Sequence, residues 1–99
     1  VKKYLDEINK AFESKIRLGI MSMLMVNEEV DFNTFKEFLD LTDGNLASHL
    51  KSLENLEYIQ VKKQFIGRKP RTTYLKTQKG ETAFRDHLQA LETFLKNNL

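Results

Sequence analysis

Between Thr42 and Leu56, the residues Asn45, Ser48, His49 and Ser52 recur three and four positions apart, and residues 62–71 hold five Lys and Arg with no acid. Amide, imidazole and hydroxyl groups on one helical face offer hydrogen-bond donors and acceptors to a flat polar edge. A dense run of cations answers a polyanion instead. Together they suit a partner with both base edges and phosphates, because edges carry sequence and phosphates hold position. Duplex DNA is such a partner. Gly44 and Asn45 fall at the start of the stretch, where short side chains and free amides can meet a phosphate. Asn45 and His49 can hydrogen-bond base edges, Ser48 and Ser52 suit bases or phosphate, and Thr42 and Lys51 complete the polar set. Asp43 favours the helix dipole but repels phosphate, so it is expected to point aside. Lys62, Lys63, Arg68, Lys69 and Arg71, with Thr72 beside them, are expected on the backbone or in a minor groove.

The basic character is local. The chain of 99 residues has a net charge of +2, with 16 Lys and Arg against 14 acids; five of the 16 lie in residues 62–71, which leaves eleven against 14, or −3, elsewhere. Ninety-nine residues make one domain, 1–99, with a single core. The absence of cysteine excludes disulfides and thiolate metal sites and fits a reducing cytoplasm. No apolar run approaches a membrane span and no secretory signal is visible, so a cytoplasmic location without membrane attachment is expected.

The elements that must position these groups follow from apolar spacing. Leu5, Ile8 and Phe12 predict a short helix over 4–12, and Ser14 is a cap for a helix over 15–27 with Ile16, Ile20, Met23 and Leu24 in a stripe. Val30 to Phe32 is a stub of strand. Asn33 is expected to cap a helix over 34–41 that buries Phe35, Phe38 and Leu39. Thr42 caps the next, 43–56, whose Leu46, Leu50 and Leu53 face the core while the polar set faces out and His49 lies on the flank. Tyr58 to Phe65 alternates as a strand with Ile59, Val61 and Phe65 inward. Gly67 to Pro70 is a turn, Arg71 to Lys76 the return strand, and Thr77 the cap of a last helix over 78–97. The class is mainly α with a small β-hairpin, in the order of a winged helix-turn-helix. The helix over 43–56 can then lie in a major groove about 12 Å wide.

The run Ser14-Lys15-Ile16-Arg17-Leu18, then Asp31-Phe32, then Leu41 through Glu54, together with Gly67 through Tyr74 and Thr77-Gln78-Lys79-Gly80, resembles the compact winged-helix regulators related to the MarR and ArsR types. The resemblance spans about residues 5 to 95. It implies a dimeric transcriptional regulator with 43–56 as recognition helix and 62–73 as wing. Related sequences usually carry glycine before the first wing strand, where this chain has Glu57; the helix must end there under strain or end differently. Metal sensing of the ArsR type lacks support, since there is no cysteine and the two histidines, His49 and His87, are 38 positions apart.

On the final helix, Phe84, Leu88, Leu91 and Leu95 are spaced four, three and four, with Phe94 and Leu99 beside them. With Leu5, Ile8 and Phe12 they would form the seam of a homodimer through terminal dimerisation helices; packing within the chain is the other use of such a stripe. His87 is expected at the surface or interface. No cofactor is expected, and no nucleophile with a nearby base or glycine-rich phosphate loop marks an enzyme. The leading expectation is a sequence-specific, double-stranded DNA-binding transcriptional regulator, with repression by promoter occupancy as its mode. The alternative is a winged-helix module that binds protein instead. RNA binding is a third reading, without an aromatic stacking platform to carry it.

Overall fold

A computed structural model describes residues 2–97, so Leu99 lies outside the described residues. Helix α1 (Lys2–Glu7) is followed by a 3₁₀ turn (Lys10–Glu13), not by one helix over 4–12. Asn9 makes the break. Its extended backbone lets its side chain accept from the Ala11 N–H at 2.9 Å, while its own N–H donates to His87 Nδ1 at 3.1 Å and its amide donates to the Tyr58 hydroxyl at 2.9 Å. A helical Asn9 could not serve as such a cap.

Helix α2 (Lys15–Val26) starts at Ser14, whose hydroxyl accepts from the Arg17 N–H. The two-residue strand β1 (Val30–Asp31) leads directly into α3 (Phe32–Leu39), and Asp31, not Asn33, is the cap, accepting from the Thr34 N–H at 2.9 Å. Pairing in the sheet already holds Asp31 extended, the backbone state a cap needs. Its carboxyl is held below the usual value chiefly by the bond from Thr34. Phe35 is fully buried as expected, but Phe38 is 77% exposed.

Asp40, Leu41 and Thr42 join α3 to α4 (Asp43–Asn55). Asp40 takes a left-handed φ of 52°, and the Leu41 N–H returns to the Lys36 carbonyl at 3.1 Å. Asp tolerates that conformation better than most residues, so the tight turn forms without glycine. Thr42 Oγ1 then accepts from the Asn45 N–H at 3.3 Å and starts α4 where expected. At the far end Glu57 has φ 64°, its N–H bonds to the Glu54 carbonyl at 2.9 Å, and the Tyr58 N–H reaches back to Leu53 at 3.0 Å. This is a Schellman ending with glutamate in the glycine position.

Strands β2 (Ile59–Ile66) and β3 (Lys69–Lys76) form the hairpin, and β1 adds to β3 through Val30–Tyr74 and Asp31–Thr73 in the order β1-β3-β2. The turn is only Gly67 and Arg68, with φ 64° at Gly67, where a II′-like hairpin needs a glycine. The return strand therefore begins at Lys69, and Pro70 lies within it opposite Phe65. Because β1 covers only Thr73 and Tyr74, β3 is an edge at Pro70 and loses no ladder bond there. Ile59 is buried, but Val61 and Phe65 are exposed because the hairpin has left the body of the domain.

Helix α5 (Gln78–Asn97) is capped by Thr77, whose Oγ1 accepts from the Gly80 N–H at 2.9 Å while donating to the Glu57 carbonyl at 2.7 Å. Its buried face is Gly80, Phe84, His87 and Ala90. Ile20, Met21 and Leu24 of α2 lie at the centre of the core among Phe35, Leu46, Leu50, Leu53, Ile59 and Phe84. The result is the winged helix-turn-helix that the element order predicts.

Candidate nucleic-acid interface

Helix α4 buries Leu46, Leu50 and Leu53, and so turns Gly44, Asn45, Ser48 and Lys51 outward, all exposed. Thr42 is exposed just before them. Ser52 is half-buried and its hydroxyl donates to the Ser48 carbonyl at 3.1 Å. His49 is also half-buried, on the flank toward α2. Burial, and secondarily the charge of Arg17, lowers its imidazole pKa, so it stays neutral near pH 7. The exposed first turn of α4 is thus short-chained and uncharged apart from Asp43.

Asp43 is paired. Lys36 of α3 reaches its carboxylate at 2.8 Å, so the one acid on this end of α4 is turned toward the preceding helix in an exposed pair. Lys51 leans on Glu54 at 3.2 Å along the helix, a pair too exposed to hold it firmly.

The hairpin's cations divide into two groups. Lys62 pairs with Glu29 at 3.1 Å, and Glu29 also accepts from the Thr73 hydroxyl at 2.9 Å; these bonds, Thr73 first, hold the Glu29 carboxyl below its usual value. This chain of contacts fixes the base of the hairpin. Among the described residues, Lys63, Arg68, Lys69 and Arg71 form no ion pair, and all are exposed. Thr72 is half-buried, opposite Lys63 in the ladder. Sequence reasoning missed the Glu29–Lys62 pair, because the partners are 33 residues apart and meet only through the sheet.

The residues expected at a dimer seam separate as well. Phe12 and Phe84 lie in the domain's own core, 3% and 4% exposed, with their rings edge to face at 5.2 Å. They have no surface left for a partner, which corrects their assignment. His87 is likewise 3% exposed, packed on Phe12, rather than at the surface. Leu5, Leu88 and Leu95 are exposed, and Ile8 and Leu91 are half-buried, on the α1 and α5 end of the molecule.

Residues 16–95 match the model of the winged helix DNA-binding domain family. An uncharacterized protein of Methanocaldococcus jannaschii is 39% identical over 88 residues, covering 89% of this chain and 96% of that protein. A solved structure, the transcriptional regulator homologue protein of Pyrococcus horikoshii OT3, superposes with a TM-score of 0.86 at 32% identity over 95% of both chains. PadR of Bacillus subtilis, solved in complex with operator DNA, superposes with a TM-score of 0.66 at 15% identity over 76% of this chain and 48% of its own. At 15% identity the likeness to PadR is one of fold.

Proposed function

This chain belongs to the winged helix DNA-binding domain family, and from that premise we propose that it is a sequence-specific transcriptional regulator that reads duplex DNA with α4 and holds the backbone or minor groove with the β2–β3 hairpin. The observation that carries the reading is the division of exposed groups. Small or polar residues (Gly44, Asn45, Ser48) stand on the helix, and cations unpaired among the described residues (Lys63, Arg68, Lys69, Arg71) stand on the hairpin. Asn45 reads a base edge, Ser48 and Thr42 serve base or phosphate, and His49 and Ser52 serve as flank contacts. Repression by occupying a promoter is the mode in this proposal. A module that bound protein through α4 would want aromatic or leucine side chains outward, and the outward face of α4 has neither over its first three turns.

Leu5, Leu88, Leu91 and Leu95, with Ile8 beside them, form the homodimer seam in this reading. A two-fold pair would set two α4 helices into successive major grooves about 34–36 Å apart. PadR, with operator DNA bound, shows the same fold on a duplex.

The test is fluorescence anisotropy on a random-library duplex at two salt concentrations, with enrichment of the bound fraction. Salt-sensitive binding that enriches a two-fold-symmetric site supports the regulator and supplies its operator. Absence of binding at low salt transfers the weight to a protein-binding module.

A further inference from the structure

The tip of the hairpin leaves two large apolar side chains uncovered. Phe65 is 74% exposed and Ile66 55%. In β2, Phe65 continues the face that buries Ile59, but it lies beyond the helices and stands opposite Pro70; Ile66, opposite Lys69, falls on the other face. Between them the chain reverses in two residues, Gly67 and Arg68. The tip is therefore narrow, apolar on both faces, and rimmed by Lys63, Arg68 and Lys69, none of which is paired among the described residues. Strand ends in water are normally blunted with charge, and isolated apolar side chains are unremarkable, but an adjacent Phe and Ile at a tip are neither.

We propose that Phe65 acts as a wedge that enters the minor groove and partly unstacks one base step, so that the hairpin kinks the duplex it grips. The proposal rests on the DNA-binding reading above. Charge selects the occupant. With Lys63, Arg68 and Lys69 exposed and unpaired among the described residues, the rim of the tip complements a polyanion rather than an ordinary protein surface. Size selects the groove. A minor groove about 6 Å wide excludes a two-stranded ribbon but admits the side chains at its end. Phe and Ile are among the side chains that minor-groove proteins insert between base steps, with kinks of about 20–90°. The wedge adds a preference that no hydrogen bond carries: easily unstacked pyrimidine–purine steps should be favoured where the tip falls.

The experiment uses the enriched duplex with 2-aminopurine placed at successive positions under the hairpin, and dyes on its two ends. In saturating wild-type protein, 2-aminopurine emission should rise at one step per hairpin and the ends should draw together. Phe65→Ala should abolish both signals and weaken binding about tenfold or more, from the lost burial of one aromatic side chain. Phe65→Leu should keep part of each. The double variant Arg68→Ala, Lys69→Ala should weaken binding yet keep the emission once saturated. If Phe65→Ala at saturation shows the wild-type emission and bend, the wedge is overturned while the DNA-binding reading stands. If Phe65→Ala changes only self-association in sedimentation, the tip is a protein contact and the wedge is again overturned. Wild-type protein that binds no duplex at low salt overturns the DNA-binding reading and the wedge with it.

Discussion

The carbonyl oxygen of Tyr58 lies 2.0 Å from where a β-carbon on Gly80 would stand. The contact is backbone against backbone, at the point where α5 begins beside the end of α4, and Thr77 ties the same corner together by capping α5 and bonding to Glu57. Gly80→Ala cannot be relieved by a side-chain rotation, so α5 must move. Overpacking of this kind costs about 3 kcal/mol. A thermal melt at fixed protomer concentration should fall by roughly 12–24 °C. A loss of only a few degrees would show that the helix start yields easily.

Glu57 should be improvable. Its φ of 64° costs an L-residue roughly 1–2 kcal/mol, and its ion pair with Lys79 is long, at 3.9 Å, and exposed. Glycine removes the strain but makes the unfolded chain more flexible, by about 0.4–1 kcal/mol. Glu57→Gly should therefore raise stability by about 0.5–1 kcal/mol in a urea titration, with DNA affinity unchanged. A lower midpoint would mean that the strain is smaller than the flexibility term.

Acid should loosen the core through His87. Burial lowers its pKa below the ordinary 6.5, and its Nδ1 is the acceptor for the Asn9 N–H, so the folded state holds it neutral. Above the unfolded value the imidazole is neutral in both states and its contribution is complete. As pH falls below that value the unfolded chain takes the proton first, and stability declines until the folded value is passed. His49 titrates with the same sign. Melting temperature should drop as pH falls through about 6.5 and below. His87→Gln, which keeps an acceptor for Asn9 and does not titrate, should flatten that slope. Glu29 and Asp31 act below this window, because their pKa values lie beneath 4.5 and 3.8. An unaltered slope in His87→Gln would sink the assignment.

Helix and hairpin should fail differently. Arg68→Ala with Lys69→Ala should weaken binding to all duplexes and reduce the log–log salt slope by about 1.8 if each neutralises one phosphate. Asn45→Ala should lose about 1–3 kcal/mol of discrimination at one base pair while binding random DNA nearly as before. Anisotropy on specific and random duplexes separates the two. Equal losses on both duplexes for both variants would refute this division of labour.

What could be read in advance was whatever depended on local spacing. Leu46, Leu50 and Leu53 fix which way α4 faces, and Thr42 caps it, because both effects act within a few residues. Most of the misreadings turn on distant partners. Asn9 is unremarkable in a helical stretch until His87 and Tyr58 hold its backbone and side chain. Asp31 and Asn33 are both good caps in sequence, and the sheet decides between them. Alternation along β2 continues past the edge of the domain, so it could not reveal that Phe65 stands in solvent. Of the seam residues expected on α5 only Phe84 was misplaced: the buried stripe runs through Gly80, Phe84, His87 and Ala90, with the histidine disguising it, and it meets the 84, 88, 91, 95 stripe at that one residue. Gly44, Asn45, Ser48, Lys51 and the cationic run are exposed, whereas the half-burial of Ser52 and the Lys62–Glu29 and Lys36–Asp43 pairs needed the fold.

Among the described residues, the two non-glycine residues with positive φ, Asp40 and Glu57, stand just outside either end of α4. They act as mechanical stops. The helix can neither grow by a turn nor slide its register without forcing one of them into another conformation. Held at constant length and phase, α4 can exchange its outward residues at 44, 45 and 48 while its inward leucines and both stops stay untouched. Under the proposed reading of DNA by α4, new target sequences would then be reachable by single substitutions that leave folding alone.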